Sequence, residues 1–341
     1  MGAEIPSIAV LILNHNGMRF LPACYESVLA NQGVVFDLYL VDNGSQDDSV
    51  SMTETEYPMI RVIRNTENLG YGAAYDGAIR TIRHPYVVLL NNDTIVDSDW
   101  LVELFSAARA DPRIAACGSR ILMLDRRDTV DHGGGLFSLI GSGVDVGKWC
   151  RKPLEGGEPY STGFGCGCSL LIRRDAYFDV GGFDTSYGYY HEDVDLCWRF
   201  RLSGYSVVHV PGSVVFHMLG GGRRVRHDDD PWKVFHCQKN RLVNILKNLG
   251  ISRLVAALIL SLVYDGMRFS IFLVSGRRDL MRSVAAGYRF VLGDLKEILE
   301  KRRRVQSRRC RRDRSLSPYF LSVAESFREY WRLRRASGTQ L

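Results

Sequence analysis

Short apolar runs alternate with helically spaced segments through the first ninety or so residues. Residues 7–13 (SIAVLIL) form the first run and end on Asn14-His15-Asn16-Gly17, after which residues 20–30 carry helical apolar spacing. Residues 38–41 form a second run, closed by Asp42-Asn43-Gly44-Ser45 with Asp47 and Asp48 close behind, and helix signals then reach Glu56. Residues 60–63 are a third run, followed by the loop 65–72 (NTENLGYG) and a helix through Ile82. Residues 86–90 (YVVLL) are the fourth. Runs this short, β-branched and uniformly apolar read as strands buried on both faces. Strand, helix, strand, helix at this spacing predicts a parallel sheet with crossover helices on its faces.

Beyond residue 111 the pattern loosens. Glycine-dense stretches at 131–135 and 141–147, with Trp149 and Arg151 nearby, predict a mobile loop region over residues 111–159 at the rim of a site. Residues 164–172 return to a strand and 173–180 to a short helix. Gly181-Gly182-Phe183-Asp184 then turns the chain towards a helix that starts at Glu192 and runs to Leu202. Residues 205–210 form a further strand, closed by Pro211-Gly212, and Val214-Val215-Phe216 leads to His217 and Gly220-Gly221-Gly222.

Three of the first four strands end in amide or acidic clusters: Asn14/Asn16, Asp42/Asn43 and Asn92/Asp93. That edge of an open α/β sheet is where ligands sit, and repeated polar groups there suit a nucleotide-sized molecule. Asp93 can hold a hard divalent cation against phosphate oxygens; Asn92-Asp93 can equally turn the chain and cap the helix near Asp99-Trp100. Asn68 and Gly70 fall in a loop on the same edge whose glycines let backbone approach a ligand, although a plain helix start explains it as well. Glu192 and Asp193 sit in a first helical turn, where acids favour the macrodipole; beside an aromatic, glycine-rich turn they also suit general-base work on a hydroxyl. His217 is a candidate metal or phosphate contact, or a structural histidine at a strand end. Arg223, Arg224 and Arg226 could clamp a diphosphate or form a solvated loop.

Composition adds limits. With 341 residues, 46% hydrophobic and 24% charged, the chain is one large soluble domain or two. Its net charge of +6 is concentrated in the C-terminal quarter. The eight cysteines lack zinc-type spacing and residues 1–6 carry no basic-then-apolar leader, so a reducing, cytoplasmic setting is expected. Cys166-Gly167-Cys168 reads as small buried hydrophobes in a strand or, less simply, as a metal pair. In the C-terminal quarter, residues 251–264 and 269–274 are apolar runs separated by Asp265-Gly266-Met267-Arg268, each shorter than the roughly 18–20 residues that span a bilayer. Arg253, Arg268, Arg277, Arg278, Arg282, residues 301–304, and Arg308, Arg309, Arg311, Arg312 and Arg314 surround them. Apolar helix plus basic cluster predicts attachment to an anionic inner-membrane surface; the alternative is a helical bundle with a solvated basic tail. No nucleic-acid module accompanies the arginines, so no nucleic-acid partner is expected.

In this order the pieces VLILNHNG, YLVDNGSQDDS, RNTENLGYG, VVLLNNDTIVDSDWL, GCGCSLLIRRDAYFDVGGFD, YYHEDVDLCWRFRLSGY and VVHVPGSVVFHMLGG resemble a family-2, GT-A-fold inverting glycosyltransferase of the rhamnosyltransferase-like branch. They cover about residues 8–222. The resemblance implies an α/β fold, a mostly parallel sheet flanked by helices over residues 1–248, and a helical basic extension over 249–341. It implies a donor site with Asp42 at the base and ribose, Asn14 and Asn16 at the neighbouring strand end, and Asn68, Gly70 and Asn92 around it. It makes Asp93 the main ligand of Mg2+ or Mn2+, His217 a residue facing metal and diphosphate, and Asp193 the base that deprotonates the acceptor, with Glu192 beside it. The activity implied is transfer of one sugar from a nucleotide-diphosphate sugar, with dTDP-rhamnose a candidate, to a glycan or isoprenoid-lipid-linked acceptor in cell-surface polysaccharide synthesis. Asn91 departs from the pattern, standing where many relatives carry the first aspartate of a DxD motif. No QxxRW segment follows Asp193, which argues against a processive polymerase. The competing readings are a nucleotidyltransferase on a similar sheet, which lacks its basic glycine loop here, and a non-catalytic membrane-associated scaffold.

Overall fold

A computed structural model describes residues 7–151, 157–218 and 230–322, together with 324, 325 and 328. The N-terminal apolar runs are strands β1 (Ile8–Asn14), β2 (Phe36–Asn43), β3 (Arg61–Asn65) and β4 (Tyr86–Asn91), separated by α1 (Leu21–Leu29), α2 (Ser49–Glu56) and α3 (Tyr71–Thr81). Then follow β5 (Thr94–Val96), α4 (Trp100–Arg109), β6 (Ile114–Met123), β7 (Val130–His132), β8 (Gly135–Phe137), β9 (Gly143–Asp145) and β10 (Tyr160–Ser161). β11 (Ser169–Arg173), α5 (Arg174–Asp179), α6 (Glu192–Leu202) and β12 (Ser206–His217) complete the sheet. The helices α7 (Pro231–Asn248), α8 (Ile251–Val274), α9 (Arg278–Gly293) and α10 (Leu295–Ser307) close the chain.

The main sheet runs β10-β12-β6-β11-β4-β1-β2-β3. β1 is parallel to β2 and β4, β2 to β3, and β12 to β6, while β11 inserts antiparallel between β4 and β6. Alternation along the strands explains why the runs are apolar throughout. Ile8, Val10, Ile12, Val88 and Leu90 enter one core with Tyr25 of α1 and Trp100 of α4. Ala9, Leu11, Val87 and Leu89 enter the other, with Tyr75 of α3 and Trp198 of α6. Each fully buried Leu or Ile contributes about 1.5–3 kcal/mol by leaving water. Both faces are covered by apolar side chains, so the sheet's polar chemistry is gathered at its strand ends.

Three expectations need correction. The expected loop region 111–159 contains β6, buried along its whole length in the middle of the sheet. Its Cys117-Gly118-Ser119-Arg120 centre interrupts the apolar run, yet Ser119 is satisfied internally by Ser169 (2.7 Å) and Ser213 (2.9 Å). The glycine stretches that follow fold as β7 and the β8–β9 hairpin. β12 does not stop at Pro211-Gly212; it continues to His217 through a register shift between Val210 and Val214, a bulge that tolerates a proline lacking its N–H. The third correction concerns the two apolar runs of the C-terminal quarter, which are one 24-residue helix, α8, long and apolar enough to cross a membrane by length and composition. Asp265 does not break it because its carboxylate is turned inward, paired with Arg241 and accepting from Gln238 (2.8 Å) and Tyr288 (2.6 Å). Arg268 likewise donates to Gln238 at 2.9 Å.

The C-terminal helices are built onto the sheet rather than appended to it. Leu242 and Ile245 of α7, Ala257 of α8, Val291 of α9 and Ile298 of α10 belong to the same core as Leu11 and Val87. Part of the basic cluster also points inward: Arg302 donates to the Leu246 and Leu249 carbonyls at 2.6 and 2.7 Å, and Arg309 pairs with Asp313, while Arg303, Arg304, Arg311, Arg312 and Arg314 are exposed.

Candidate active site

Four of the strand-end residues form one hydrogen-bonded patch. Asn92 donates to Asn14 at 2.6 Å, Asn14 donates to the Ser45 hydroxyl at 3.1 Å, and that hydroxyl also accepts the Asn16 N–H at 3.0 Å. Asp42 receives the Ser45 N–H on Oδ2 at 3.1 Å. Its Oδ1 is buried and has no hydrogen-bond partner among the described residues. A buried acceptor left open is costly unless a ligand donor meets it. Gly17 is required here, since a Cβ would lie 2.1 Å from Asn92 Nδ2.

Asn68 and Gly70 join this patch through Asn43, the second member of the Asp42/Asn43 strand end. The Asn43 amide donates to Asn68 Oδ1 at 2.9 Å and to the Gly70 carbonyl at 3.3 Å, and its carbonyl oxygen accepts the Leu69 N–H at 3.1 Å. Gly70 adopts φ +82, and a Cβ there would meet the Gly188 carbonyl at 2.8 Å. Its freedom is spent on the approach to Gly188, whose carbonyl accepts the Tyr71 N–H at 2.9 Å. The loop at the donor edge is thereby joined to the turn that precedes α6.

Asp93 lies in the turn between β4 and β5. His217, at the end of β12, brings Nε2 to 3.4 Å from Asp93 Oδ1, and its Nδ1 lies 3.2 Å from Asp131 Oδ2. Burial alone would lower the imidazole's pKa, but the hydrogen bonds to Asp131 and Asp93 more than offset it and raise the value to about 9. Asp131 is held below the ordinary carboxylate range, where burial would lift it, by Lys148 at 2.7 Å and by His217. The polar row continues from Lys148 to Asp145 (3.4 Å) and from Asp145 to His132 (2.8 Å). Asp131, His132, Asp145 and Lys148 all come from the stretch expected to be a rim loop. The Asp131-His132 pair was the available signal.

Among the described residues no group of three or more His, Cys, Asp and Glu side chains converges as a metal cage. Asp93 and His217 do present one oxygen and one nitrogen towards each other. The Asp93 carboxylate fits Mg2+ or Mn2+, which take one or two protein carboxylates and fill the remaining positions with phosphate oxygens and water. His217, protonated while it pairs with Asp93 and Asp131, would offer the ion a nitrogen only on losing that proton. Asn91, the departure from DxD, instead donates its N–H to the Cys168 carbonyl at 3.0 Å.

Asp193 is half-buried in the first turn of α6. Its Oδ2 accepts the Gly167 N–H at 2.8 Å and its Oδ1 the Val194 N–H at 2.7 Å. Burial raises its pKa, and these two N–H groups limit the rise. Glu192 is buried, has no hydrogen-bond partner for Oε2 among the described residues, and is pushed well above the usual range by burial and by Asp193. Two neighbouring carboxyls with separated pKa values can divide their roles: the more easily ionised one is the base, and the other stays neutral. The turn leading into them is strained, with Tyr190 and His191 both at φ +67. Left-handed backbone at non-glycine residues costs on the order of 1–3 kcal/mol and persists only when its surroundings impose it. Here Asn240 of α7 imposes it, donating to the carbonyls of Tyr187 (3.0 Å), Tyr189 (2.8 Å) and Tyr190 (2.7 Å). A helix outside the expected motifs thus positions the turn that carries Glu192 and Asp193.

The Cys166–Cys168 turn joins the two carboxylate regions. Gly167 holds Asp193, and Cys168 holds Asn91, two residues before Asp93. Both cysteines are free thiols. Arg223, Arg224, Arg226 and Gly220-Gly221-Gly222 lie outside the described residues.

Comparison with known proteins follows this geometry. A model described as glycosyl transferase family 2 matches residues 9–181, just over half of the chain. The chain belongs to glycosyl transferase family 2. This family-2 chain is 31% identical over 200 residues to N-acetylglucosaminyl-diphospho-decaprenol L-rhamnosyltransferase of Mycobacterium tuberculosis, covering 52% of this chain and 65% of that protein. It is 28% identical over 244 residues to the uncharacterized protein y4gI of Sinorhizobium fredii, covering 67% of this chain and 26% of that protein. It therefore spans less than two thirds of the length of these relatives. Among solved structures it is similar to GalNAc-T7 with UDP, GalNAc and Mn2+ (TM-score 0.58, 17% identity, 72% of this chain and 48% of that one). It is also similar to the mannosyltransferase PcManGT from Pyrobaculum calidifontis in complex with GDP-Man and Mn2+ (TM-score 0.53, 13% identity, 90% and 86%). These family-2 features sit on a GT-A fold: a mixed, mostly parallel sheet flanked by helices, with a helical C-terminal region.

Proposed function

We propose that this chain transfers a single sugar, with inversion, from a nucleotide-diphosphate sugar to a hydroxyl of a saccharide carried on an isoprenoid lipid, in the synthesis of a cell-surface polysaccharide. The rhamnosyltransferase relative, whose name specifies a decaprenol-linked acceptor, supports that acceptor class and makes dTDP-rhamnose a candidate donor. Asp42, with its open Oδ1, and Asn14, Asn16, Asn68, Gly70 and Asn92 form the donor edge. Asp93 and His217 would hold Mg2+ or Mn2+, a reading supported by the Mn2+ named with two structural neighbours. When bound, the ion would neutralise charge growing on the departing diphosphate.

Asp193 takes the proton of the acceptor hydroxyl as its oxygen attacks the anomeric carbon. The bond from that carbon to the diphosphate breaks with its electron pair leaving on the diphosphate, through an oxocarbenium-like transition state. Glu192 remains neutral beside it. The observation that carries this reading is the Asp193 carboxylate, half-buried, held by one backbone N–H on each oxygen and raised in pKa. Asp193→Asn tests it: transfer should fall about 10²–10⁴-fold while calorimetric binding of the donor nucleotide persists. Equal loss of donor binding would remove Asp193 from the role of base.

The proposed division of labour gives residues 1–248 to catalysis and 249–341 to attachment at the inner face of the plasma membrane. All three charged residues of α8, Arg253, Asp265 and Arg268, are turned away from solvent to some degree. Ile251, Val255, Ile259, Leu262, Val263 and Leu273 are exposed on its opposite side. A helix sealed to the protein by its polar stripe, with a bare apolar face, suits a position in the membrane plane rather than across it.

A further inference from the structure

A second cavity, of about 420 Å³, opens between the Gly181-Gly182-Phe183-Asp184 turn, the C-terminal half of α6 and α10. Five cationic and two acidic side chains line it. Its floor is internally balanced. Lys247 pairs with Asp184 at 2.7 Å and with Asp195 at 2.8 Å, and Arg199 pairs with Asp195 at 2.7 Å. Two cations thus meet two carboxylates.

The mouth is not balanced. Lys301, Arg304 and Arg308 recur at the spacing that places residues on one side of a helix, and all three line the cavity. Lys301 is shared between Asp184 (2.7 Å) and Glu297 (2.9 Å). Arg308 spends Nη1 on the Asp179 carbonyl at 2.6 Å and meets no carboxylate among the described residues. The Arg304 guanidinium has no hydrogen bond or ion pair among the described residues. Lys301 thus already meets two carboxylates, while Arg304 and Arg308 face the concave space with no carboxylate partner among the described residues. Low-dielectric walls strengthen the field that such a row creates. Gly181, which lines the mouth, adopts φ +91, a conformation that L side chains rarely take.

We infer that this cleft binds a phosphate-bearing anion, with Lys301, Arg304 and Arg308 as its donors. The guanidinium fork matches phosphate geometry, and the volume admits a diphosphate or a substituted phosphomonoester. The site lies apart from the donor edge. α6 carries Glu192 and Asp193 at its start, whereas Arg199 and Ser203, farther along, line the cleft. The same chemistry is offered by a phospholipid headgroup and by a soluble phosphorylated molecule.

The test is calorimetric titration of inorganic diphosphate into the full-length protein in EDTA-containing buffer, so that metal-assisted binding at the donor edge is silent. Wild type should bind, and Arg304→Glu should weaken binding at least about tenfold. The exposed pair Arg278→Ala/Arg282→Ala should leave it unchanged. The Arg304 side chain is exposed and makes no hydrogen bond or ion pair among the described residues, so the fold should survive its loss, and an unaltered melting temperature checks this. Absence of binding by wild type, or equal binding by Arg304→Glu, overturns the inference. A second arm floats the protein on phosphatidylcholine vesicles with and without phosphatidic acid. If Arg304→Glu also loses the phosphatidic-acid-dependent fraction, the site takes a lipid headgroup; if it loses only free diphosphate, the site takes a soluble ligand. Both results support the cleft as an anion site.

Discussion

Gly167 donates its backbone N–H to Asp193 Oδ2 across 2.8 Å, from a turn whose next residue, Cys168, accepts the N–H of Asn91. One turn between strands therefore holds the carboxylate at the start of α6 and the strand end that leads to Asp93. Movement of either region relative to the other requires that turn to move.

The first prediction concerns pH. Asp193 can take a proton only as the carboxylate, so activity is present above its pKa and is lost as pH falls through it. Burial raises that pKa, so the acidic limb of kcat/KM should lie above about 3.9, the ordinary aspartate value. Glu192, pushed higher still, is already neutral there, and Glu192→Gln should leave the limb in place. A pH–rate profile checks both statements.

Metal removal should act on donor binding. Asp93→Ala should abolish the Mn2+-dependent part of donor binding in a titration run with Mn2+ and again with EDTA. Asp131, which orients His217 through Nδ1, should matter indirectly. Asp131→Asn is expected to lower metal affinity by about 10–100-fold, as removal of a partner behind a metal ligand does. Transfer undiminished in EDTA would exclude the assignment of Asp93 and His217.

Lys247 is the stability test. Its side chain is buried between Asp184 and Asp195. Lys247→Met leaves both carboxylates without it and should cost roughly 3–5 kcal/mol near neutral pH in urea denaturation. Burial would raise both carboxyls, but Lys247 and then Lys301 lower Asp184, and Arg199 and then Lys247 lower Asp195. The stabilisation is therefore present above about pH 3.9, the unfolded value, and is lost as pH falls through the depressed folded values. The gap between wild type and variant should narrow in acid.

The exposed face of α8 gives a prediction about location. Ile259 and Leu262 are 57% and 62% exposed, so Ile259→Asp and Leu262→Asp should leave thermal stability near wild type. An aspartate in the apolar layer costs up to about 2.5–3.5 kcal/mol, so flotation on anionic vesicles should fall sharply. High salt should weaken the residual attachment. Vesicle binding indifferent to both substitutions would remove α8 as the contact.

The linear order of residues determined the strand ends and their chemistry. Asn14, Asp42, Asn92 and Asp93 close runs that are apolar because both sheet faces are buried, a local pattern readable without coordinates. Glu192-Asp193 at a helix start and His217 at a strand end were legible for the same reason. Tertiary structure decided what those groups face. Asp131 reaches His217, and Lys148 reaches Asp131, from a stretch whose loosened pattern hid β6 and β7. Asn240 holds the strained turn before Glu192 from a helix about fifty residues downstream. Asp265 and Arg268, which divide the apolar composition of α8, pair with each other and are satisfied further by Arg241 and Gln238 of α7 and Tyr288 of α9. A side chain's type sets which charges and hydrogen bonds it can offer, but whether they are met depends on distance in space. Long-range packing alone supplies that distance.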